Sequence, residues 1–245
     1  MKDLVLVTGA SGGIGLQLVD QLLQRGYNVI GQYNTRPDSL NQLFNLHRCD
    51  VHVNTYHADL TQPNDVKEMR QAISRNHPGV PIWGVINLAG SSTNAMSWKM
   101  SADDFKHIID VNLTSTFLVC KEFIPQLREA QGGRIINVSS VVASSGAVGA
   151  THYCAAKAGI EGLTRAMALE LAPKNITVNA LALGYFEVGL IENLTPQLQD
   201  NARNATPLRR FGRVAELTGL VEYLLSEESA FLTGQTLHVN GGFHL

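Results

Sequence analysis

The sequence predicts an α/β fold, a doubly wound parallel sheet of about seven strands with helices on both faces. Three observations carry this prediction. Short β-branched runs alternate with helical patterns along nearly the whole chain, the order that produces parallel strands joined by crossover helices. Several of the runs are almost continuously apolar, as strands covered on both faces must be. No internal repeat, long linker or charge block divides the 245 residues, so the chain reads as one domain spanning 1–245.

The first strand is read at 4–8, Leu-Val-Leu-Val-Thr, with a glycine-rich stretch leading into a helix over 14–25. A strand at 28–33, a helix at 39–47, a strand at 51–58 and a helix at 64–76 follow. The fourth strand, 82–88, precedes a long helical pattern over 102–130, and the fifth, 133–138, precedes a helix over 151–172. The last strands fall at 176–181 and 236–239, with a helix at 214–226 between them. The helix of 153–171 carries Cys154, Ala155, Ala156, Ala158, Gly159, Gly162, Ala166 and Ala168 around most of its circumference. A helix without a wide polar face is buried on more than one side. One side meets the sheet, and the other meets either a second subunit or close neighbours in the same chain.

Composition excludes several classes of function. Nineteen basic residues against twenty-one acidic ones leave a net charge of −2 and no basic field for nucleic acid. No apolar run reaches the ~18 residues of a membrane span. The N-terminus enters a β-like run at once, with no apolar leader, so a soluble cytoplasmic protein is expected. Cys49, Cys120 and Cys154 are an odd, widely spaced set, read as small buried hydrophobes in a reducing compartment. His47, His52 and His57 lie five apart and fit no helical ligand face, so no metal site is expected.

Chemistry first shows in Thr8-Gly9-Ala10-Ser11-Gly12-Gly13-Ile14-Gly15, between the first strand and the first helix. The glycines allow close backbone approach to a pyrophosphate, and the helix N-terminus offers free N–H groups and partial positive charge. The spacing is Gly-x-x-x-Gly-x-Gly at 9, 13 and 15, and its strand–turn–helix setting identifies a Rossmann-type dinucleotide site. Gly9, Ser11, Gly12, Gly13, Ile14 and Gly15 are its candidate contacts. The second strand should choose the dinucleotide: an acid there would bind the ribose of NAD, an arginine the 2′-phosphate of NADP. The segment reads Gly31-Gln32-Tyr33-Asn34-Thr35-Arg36, with no acid before Asp38. Arg36 can make a bidentate contact, with Asn34 and Thr35 as neutral donors, and NADPH/NADP+ is the expected cofactor. The bland alternative is a solvated loop arginine.

Tyr153-Cys154-Ala155-Ala156-Lys157 places a phenol and an ammonium at i and i+4 on one helix face. Ser139-Ser140 end the preceding strand. With the glycine turn, these motifs resemble the short-chain dehydrogenase/reductase family, and the resemblance runs from Thr8-Gly9 to Thr233-Gly234-Gln235-Thr236-Leu237-His238-Val239-Asn240-Gly241-Gly242. It implies an adenine contact at Asp59, beside Leu60. It implies further cofactor contacts in Asn87-Leu88-Ala89-Gly90, whose leucine replaces the family's second asparagine, and at Gly184 and Phe186. It also implies a catalytic tetrad of Asn112, Ser140, Tyr153 and Lys157, of which Tyr153 and Lys157 touch the cofactor as well. Ser139 competes for the serine role, but the thirteen-residue spacing from Ser140 to Tyr153 and the following Val141-Val142 favour Ser140.

Reduction of a ketone builds negative charge on oxygen and needs a proton donor there. A phenol of pKa about 10 is poorly matched to neutral pH, so Lys157 is expected to lower it and, as in the family, to hold the nicotinamide ribose. Ser140 would hydrogen-bond the carbonyl oxygen, and Asn112 would help hold a relay water. Two departures stand out. Leu183 occupies the family's proline position before Gly184, and Val188 replaces a threonine.

Thr206-Pro207-Leu208-Arg209-Arg210-Phe211-Gly212 and the C-terminal motif most resemble 3-oxoacyl-[acyl-carrier-protein] reductases. That resemblance implies NADPH-dependent reduction of a β-ketoacyl thioester in fatty-acid or polyketide synthesis. It also implies acyl-carrier protein as a partner and a homo-oligomer, tetramer or dimer, built on the two long central helices. A free ketone, sugar or alcohol as substrate, or a non-catalytic dinucleotide-binding regulator, remain the alternatives. Residues 185–213 read as the substrate lid, with Leu190, Ile191, Leu194 and Leu198 as an apolar stripe. Glu187, Glu192 and Asp200 precede four arginines in 201–213. Those arginines, Arg128 and Lys174 are candidate carrier contacts, each equally readable as solvated charge. Gln131 stands where the family's carrier-docking arginine is expected, with Arg128 and Arg134 nearby.

Overall fold

Strand β1 (Leu4–Thr8) is buried along its whole length, and its alternate side chains enter two different cores. Val5 and Val7 face α1 (Gly13–Gln24), α2 (Asp38–Leu46) and α9 (Val214–Leu225). Leu4 and Leu6 face α3 (Pro63–Asn76), α5 (Ser115–Glu129) and α7 (Thr151–Leu171). This two-sided burial is why the strand has no polar face in sequence. The computed structural model describes residues 4–47 and 53–245.

The sheet is parallel, in the order β3-β2-β1-β4-β5-β6-β7. Its further strands are β2 (Asn28–Tyr33), β3 (Val53–His57), β4 (Ile82–Asn87), β5 (Gly133–Ser140), β6 (Ile176–Leu183) and β7 (Thr236–Val239). Strand order reverses between β1 and β4, so a crevice opens at their carboxyl ends, the place where open α/β sheets take ligands. The remaining helices are α4 (Ala102–Ile109), α6 (Val142–Ser145) and α8 (Pro196–Ala205). Among the described residues, no helix is long and apolar enough to cross a membrane. Positions 51 and 52 of the expected third strand, with Cys49 and His52, lie outside the described residues.

Three local features differ from the sequence expectation. The helical pattern of 102–130 is interrupted by a π turn at Asp110–Thr114, between α4 and α5. There the Asn112 side-chain amide donates to the Ile108 carbonyl at 2.9 Å, and the Ser115 and Thr116 hydroxyls donate to the carbonyls of Val111 and Asn112. Side chains thus serve carbonyls that the widened turn leaves without their regular partners. Strands β5 and β6 each run two residues further than expected, pairing Ser139 with Ala182 and Ser140 with Leu183. Leucine at 183 can take a place in the sheet from which a proline, lacking N–H, would be excluded.

The apolar stripe from 190 to 198 does not lie on one helix. A 3-10 turn ends at Asn193, and α8 starts afresh at Pro196, capped by Thr195. Ile191 is buried with Ala202 and Phe211, whereas Leu190 and Leu198 are 48% and 49% exposed. On α7 the small residues include one packed against a neighbouring helix segment and one on an open side. A Cβ on Gly159 would come within 2.6 Å of Leu113, while one on Gly162 would reach only the tip of Arg165, and Leu169 is 81% exposed.

Candidate active site

The glycine turn leaves β1 through Gly9, which has φ +64°. A Cβ there would lie 2.8 Å from the Ala89 Cα, and one on Gly15 would lie 2.3 Å from the Gly9 carbonyl oxygen. The Thr8 hydroxyl accepts from the N–H groups of Leu88 and Ala89 at 3.1 Å each. The turn and the end of β4 are therefore fastened together. Helix α1 has no side-chain cap and no acid in its first turn, so its leading N–H groups have no acceptor within the helix. Gly90 supplies another close approach: a Cβ there would meet Asn112 Oδ1 at 2.5 Å and Lys157 Nζ at 3.5 Å. Glycines that leave no room for a Cβ, and unpartnered helix N–H groups beside them, fit an extended dinucleotide whose phosphates sit at α1.

Asn34, Thr35 and Arg36 are exposed beyond the end of β2, and Arg36 has no ion-pair partner among the described residues. Asp59 follows β3, and its Oδ1 accepts from the Thr61 amide and hydroxyl at 3.0 and 2.8 Å. Leu60 beside it is buried. Asn87 is turned into the interior, donating to Asn137 Oδ1 at 2.8 Å and to Cys120 Sγ at 3.2 Å. Its Oδ1, like that of Asn112, is buried with no hydrogen-bond partner. Gly184 passes so close to the chain after β7 that a Cβ would lie 2.7 Å from the Asn240 Cα. Phe186 is buried against Gly212, and the two residues form a parallel bridge. A cavity of about 470 Å³ beside Phe186 is lined by Tyr185, Leu208, His238 and His244, and none of Asn112, Ser140, Tyr153 and Lys157 borders it.

Those four residues come from three elements: the π turn, the end of β5, and the first two turns of α7, which carry both Tyr153 and Lys157. Successive strand residues point to opposite faces, and this separates the two serines. The Ser139 hydroxyl bonds into α7, to the Lys157 carbonyl at 3.2 Å and to Glu161 at 2.9 Å. Ser140 instead lies close enough to the Tyr153 phenol to favour its ionised form. Lys157 is buried, donates to the Val138 carbonyl at 2.8 Å and lies 5.5 Å from the centre of the Tyr153 ring. The expected lowering of the tyrosine does not appear. Burial pushes Tyr153 up to about 12, offset only in part by Ser140, and burial lowers Lys157 to about 8. Desolvation of the charged form dominates at both groups.

One neighbour had no signal in the sequence reading. His152 is fully buried, its Nδ1 accepts from the Tyr153 N–H at 2.9 Å, and its Nε2 lies 3.1 Å from the Thr93 hydroxyl. Since Nδ1 accepts, Nε2 carries the proton and donates to Thr93. A lone histidine beside a tyrosine reads as core, and only the fold brings Thr93 to it.

The basic patch closes largely on itself. Arg203 pairs with Asp200 and lies over Phe211, while Arg210 grips Glu216 with two bonds of 2.6 and 2.8 Å. Arg213 stands 3.6 Å from the same carboxylate, which the Arg210 hydrogen bond holds down at about 2. Arg134 is 2% exposed, stacks on Trp83 and donates to the Ser226 carbonyl, so it is withdrawn from any docking surface.

Comparison with known proteins places relatives along almost the whole chain. A family profile described as enoyl-(acyl carrier protein) reductase matches residues 9–244. Nodulation protein G of Rhizobium sp. (strain N33) is 37% identical over 237 residues, covering 97% of this chain and 95% of that protein. The 3-oxoacyl-[acyl-carrier-protein] reductase FabG of Staphylococcus epidermidis is 34% identical over 246 residues, covering 100% of both chains. Its Staphylococcus aureus counterpart is 33% identical, with 100% and 99% covered.

Proposed function

The chain belongs to the short-chain dehydrogenase/reductase family, whose oxidoreductases use NAD(P), and from that premise we propose that it reduces a β-ketoacyl thioester to the 3-hydroxyacyl product with NADPH. The closeness of the Ser140 hydroxyl to the Tyr153 phenol, at the start of a helix that also brings in Lys157, carries this reading. Two neighbouring O–H groups suit one carbonyl oxygen, and an alcohol oxygen keeps the proton delivered to it. NADPH, when bound, supplies the hydride. Tyr153 donates its phenolic proton to the substrate oxygen, and Ser140 donates a hydrogen bond to the same atom as charge develops. The Lys157 ammonium supports the phenolate left on Tyr153, and the unpartnered Oδ1 of Asn112 offers an acceptor for the water that returns a proton. Ser11, Gly13, Ile14 and Gly15 would hold the phosphates, with Gly9 and Gly12 giving them room to approach the backbone. Asp59, Leu60, Ala89 and Gly90 line the cofactor, with Gly184 and Phe186 at its nicotinamide end.

The family profile and the FabG relatives carry names that differ in the bond reduced, a carbon–carbon double bond or a ketone. Acetoacetyl-carrier protein, an acetoacetyl thioester, crotonyl thioester and free ketones, each assayed by NADPH oxidation, separate these readings. Preference for the acetoacetyl thioesters supports the proposal. Turnover confined to the crotonyl ester or to free ketones overturns it, and silence with tight NADPH binding favours a regulator. A carrier requirement would rest on Arg128, Lys174 and Arg209, because the other arginines of 203–213 already face carboxylates. A homo-oligomer joined through the outer faces of α5 and α7 is supported by the exposed Phe117 and Leu169.

NADPH is preferred over NADH in this reading because Arg36 stands beside neutral Asn34 and Thr35, with Tyr33 where an acid would repel phosphate. Arg36→Ala should weaken NADPH by about 10- to 100-fold, the loss of one or two charge-assisted bonds, and leave NADH unchanged. Equal kcat/KM for the two cofactors in the unaltered protein would contradict this assignment.

The pH dependence follows from Lys157 and Tyr153. Tyr153 at about 12 stays protonated through neutral pH, so it sets no limb there. Lys157 at about 8 gives up its proton below the range of an ordinary lysine. The kcat/KM for NADPH, which reports the free protein, should therefore fall above about pH 8. A profile flat up to the ordinary lysine value of about 10 would contradict it. Stability moves in the opposite sense over that window. The folded state binds fewer protons at Lys157 than the unfolded chain between the two values, so this group adds stability as pH rises. Tyr153, being raised, contributes stability below its ordinary value that is lost as pH climbs through about 12.

A further inference from the structure

Gln32 sits where the ends of β1, β2 and β3 meet, and no step above uses it. It is 2% exposed. Its Oε1 accepts from the Gly9 N–H at 2.9 Å, and its Nε2 donates to the Ala58 carbonyl at 2.8 Å. Its own carbonyl accepts from the Ala10 N–H at 2.9 Å. One residue therefore holds two successive amides of the glycine turn and the last carbonyl before Asp59. Gly9 offers only a donor and Ala58 only an acceptor, so a single orientation of the amide satisfies both.

The bonds also decide which amides remain for an anion. Gly9 and Ala10 are committed to Gln32, and the Gly12 N–H donates to the Gly9 carbonyl at 3.0 Å. The donors left are the Ser11 N–H and those of the first turn of α1, at Gly13, Ile14 and Gly15, which have no helical acceptor. On the β4 side the turn is already held by Thr8. Gln32 is its fastening on the β2 side, and the same side chain sets the height of the Asp59 loop.

We propose that Gln32 is a positioning residue for the dinucleotide, locking the glycine turn and the Asp59 loop into one preformed wall. The proposal rests on reading this turn as the dinucleotide site. A wall already in place binds without the cost of ordering it, so losing Gln32 should appear in cofactor affinity more than in the chemistry at Tyr153.

The test measures NADP+ binding by calorimetry and kcat at saturating NADPH, on the full chain and on Gln32→Met and Gln32→Glu. Methionine keeps the length and loses both side-chain bonds. At about 1 kcal/mol each, their loss should weaken NADP+ by about 10- to 30-fold, with kcat falling much less. A protonated glutamate places a carbonyl and an O–H where glutamine has its oxygen and amide. Gln32→Glu should therefore bind as the unaltered protein does at low pH and lose affinity as its carboxyl ionises against the Ala58 carbonyl. The unaltered protein, followed over the same pH range, removes the titration of the cofactor's own phosphate. A purely structural role would lower the melting temperature and the folded fraction but leave the Kd of the folded protein unchanged. Unchanged affinity in Gln32→Met, equal losses of kcat and affinity, or no low-pH recovery in Gln32→Glu would overturn the proposal. Failure of the unaltered protein to bind either NADP+ or NAD+ is a separate result, and it removes the dinucleotide reading itself.

Discussion

Tyr153→Phe should lower ketone reduction by about three orders of magnitude, within the range of about 10²–10⁴ for a lost general acid, while NADP+ binding stays measurable. The substitution keeps the ring and removes only the oxygen. That oxygen is the group whose ionised form Ser140 favours, and it is the proton source in the proposed reaction. The structural cost is small by comparison, since a neutral hydrogen bond is worth about 1 kcal/mol net. A fall in turnover with little change in melting temperature or NADP+ affinity is therefore the expected combination. Two results would remove Tyr153 from the role. Turnover within a few-fold of the unaltered protein would show that another group delivers the proton. Loss of NADP+ binding alongside turnover would make the phenol a cofactor contact first and an acid second.

The strands were readable because both faces of the sheet are covered. Leu4-Val5-Leu6-Val7 carries no polar residue for a simple reason: neither side of β1 meets water. The glycine turn was equally plain, since its glycines stand where a Cβ would strike backbone. What composition could not convey is how side chains spend their hydrogen bonds. The π turn at Asp110–Thr114 adds one residue inside a single long helical pattern, and the amide of Asn112 bonded to the Ile108 carbonyl has no counterpart in a hydrophobic pattern. Charge counted along 201–213 gave a basic stretch, yet Glu216 lies just beyond the window and neutralises two of its arginines. The spacing of Tyr153 and Lys157 placed them on one face, but their titration is decided by burial, a property of the whole fold. Gln32 was invisible for the same reason: its two partners are 23 and 26 residues away.

Gly15→Ala tests the glycine turn at its tightest point. The added methyl would lie 2.3 Å from the Gly9 carbonyl oxygen, 3.0 Å from the Ala10 Cα and 3.1 Å from the Ala10 carbonyl carbon. All three are backbone atoms, so no side-chain rotation relieves the contact. Gly15 is buried inside α1, and there alanine would ordinarily add about 1 kcal/mol of helix propensity. Steric overlap of this kind costs about 1–3 kcal/mol or more, so the net change should be a loss of stability despite the better helix former. The movement that relieves the overlap must push Gly9 and Ala10 outward, away from their bonds to Gln32, and so displace the wall that faces the phosphates. NADP+ affinity should consequently fall by at least about 100-fold, roughly 2.7 kcal/mol, with residual turnover limited by cofactor. Gly26→Ala is the control, because its Cβ meets nothing within 4 Å and its φ of +84° confines the penalty to stability. A Gly15→Ala protein that binds NADP+ normally would mean that the turn has slack the structure does not show, and that the phosphates are held elsewhere.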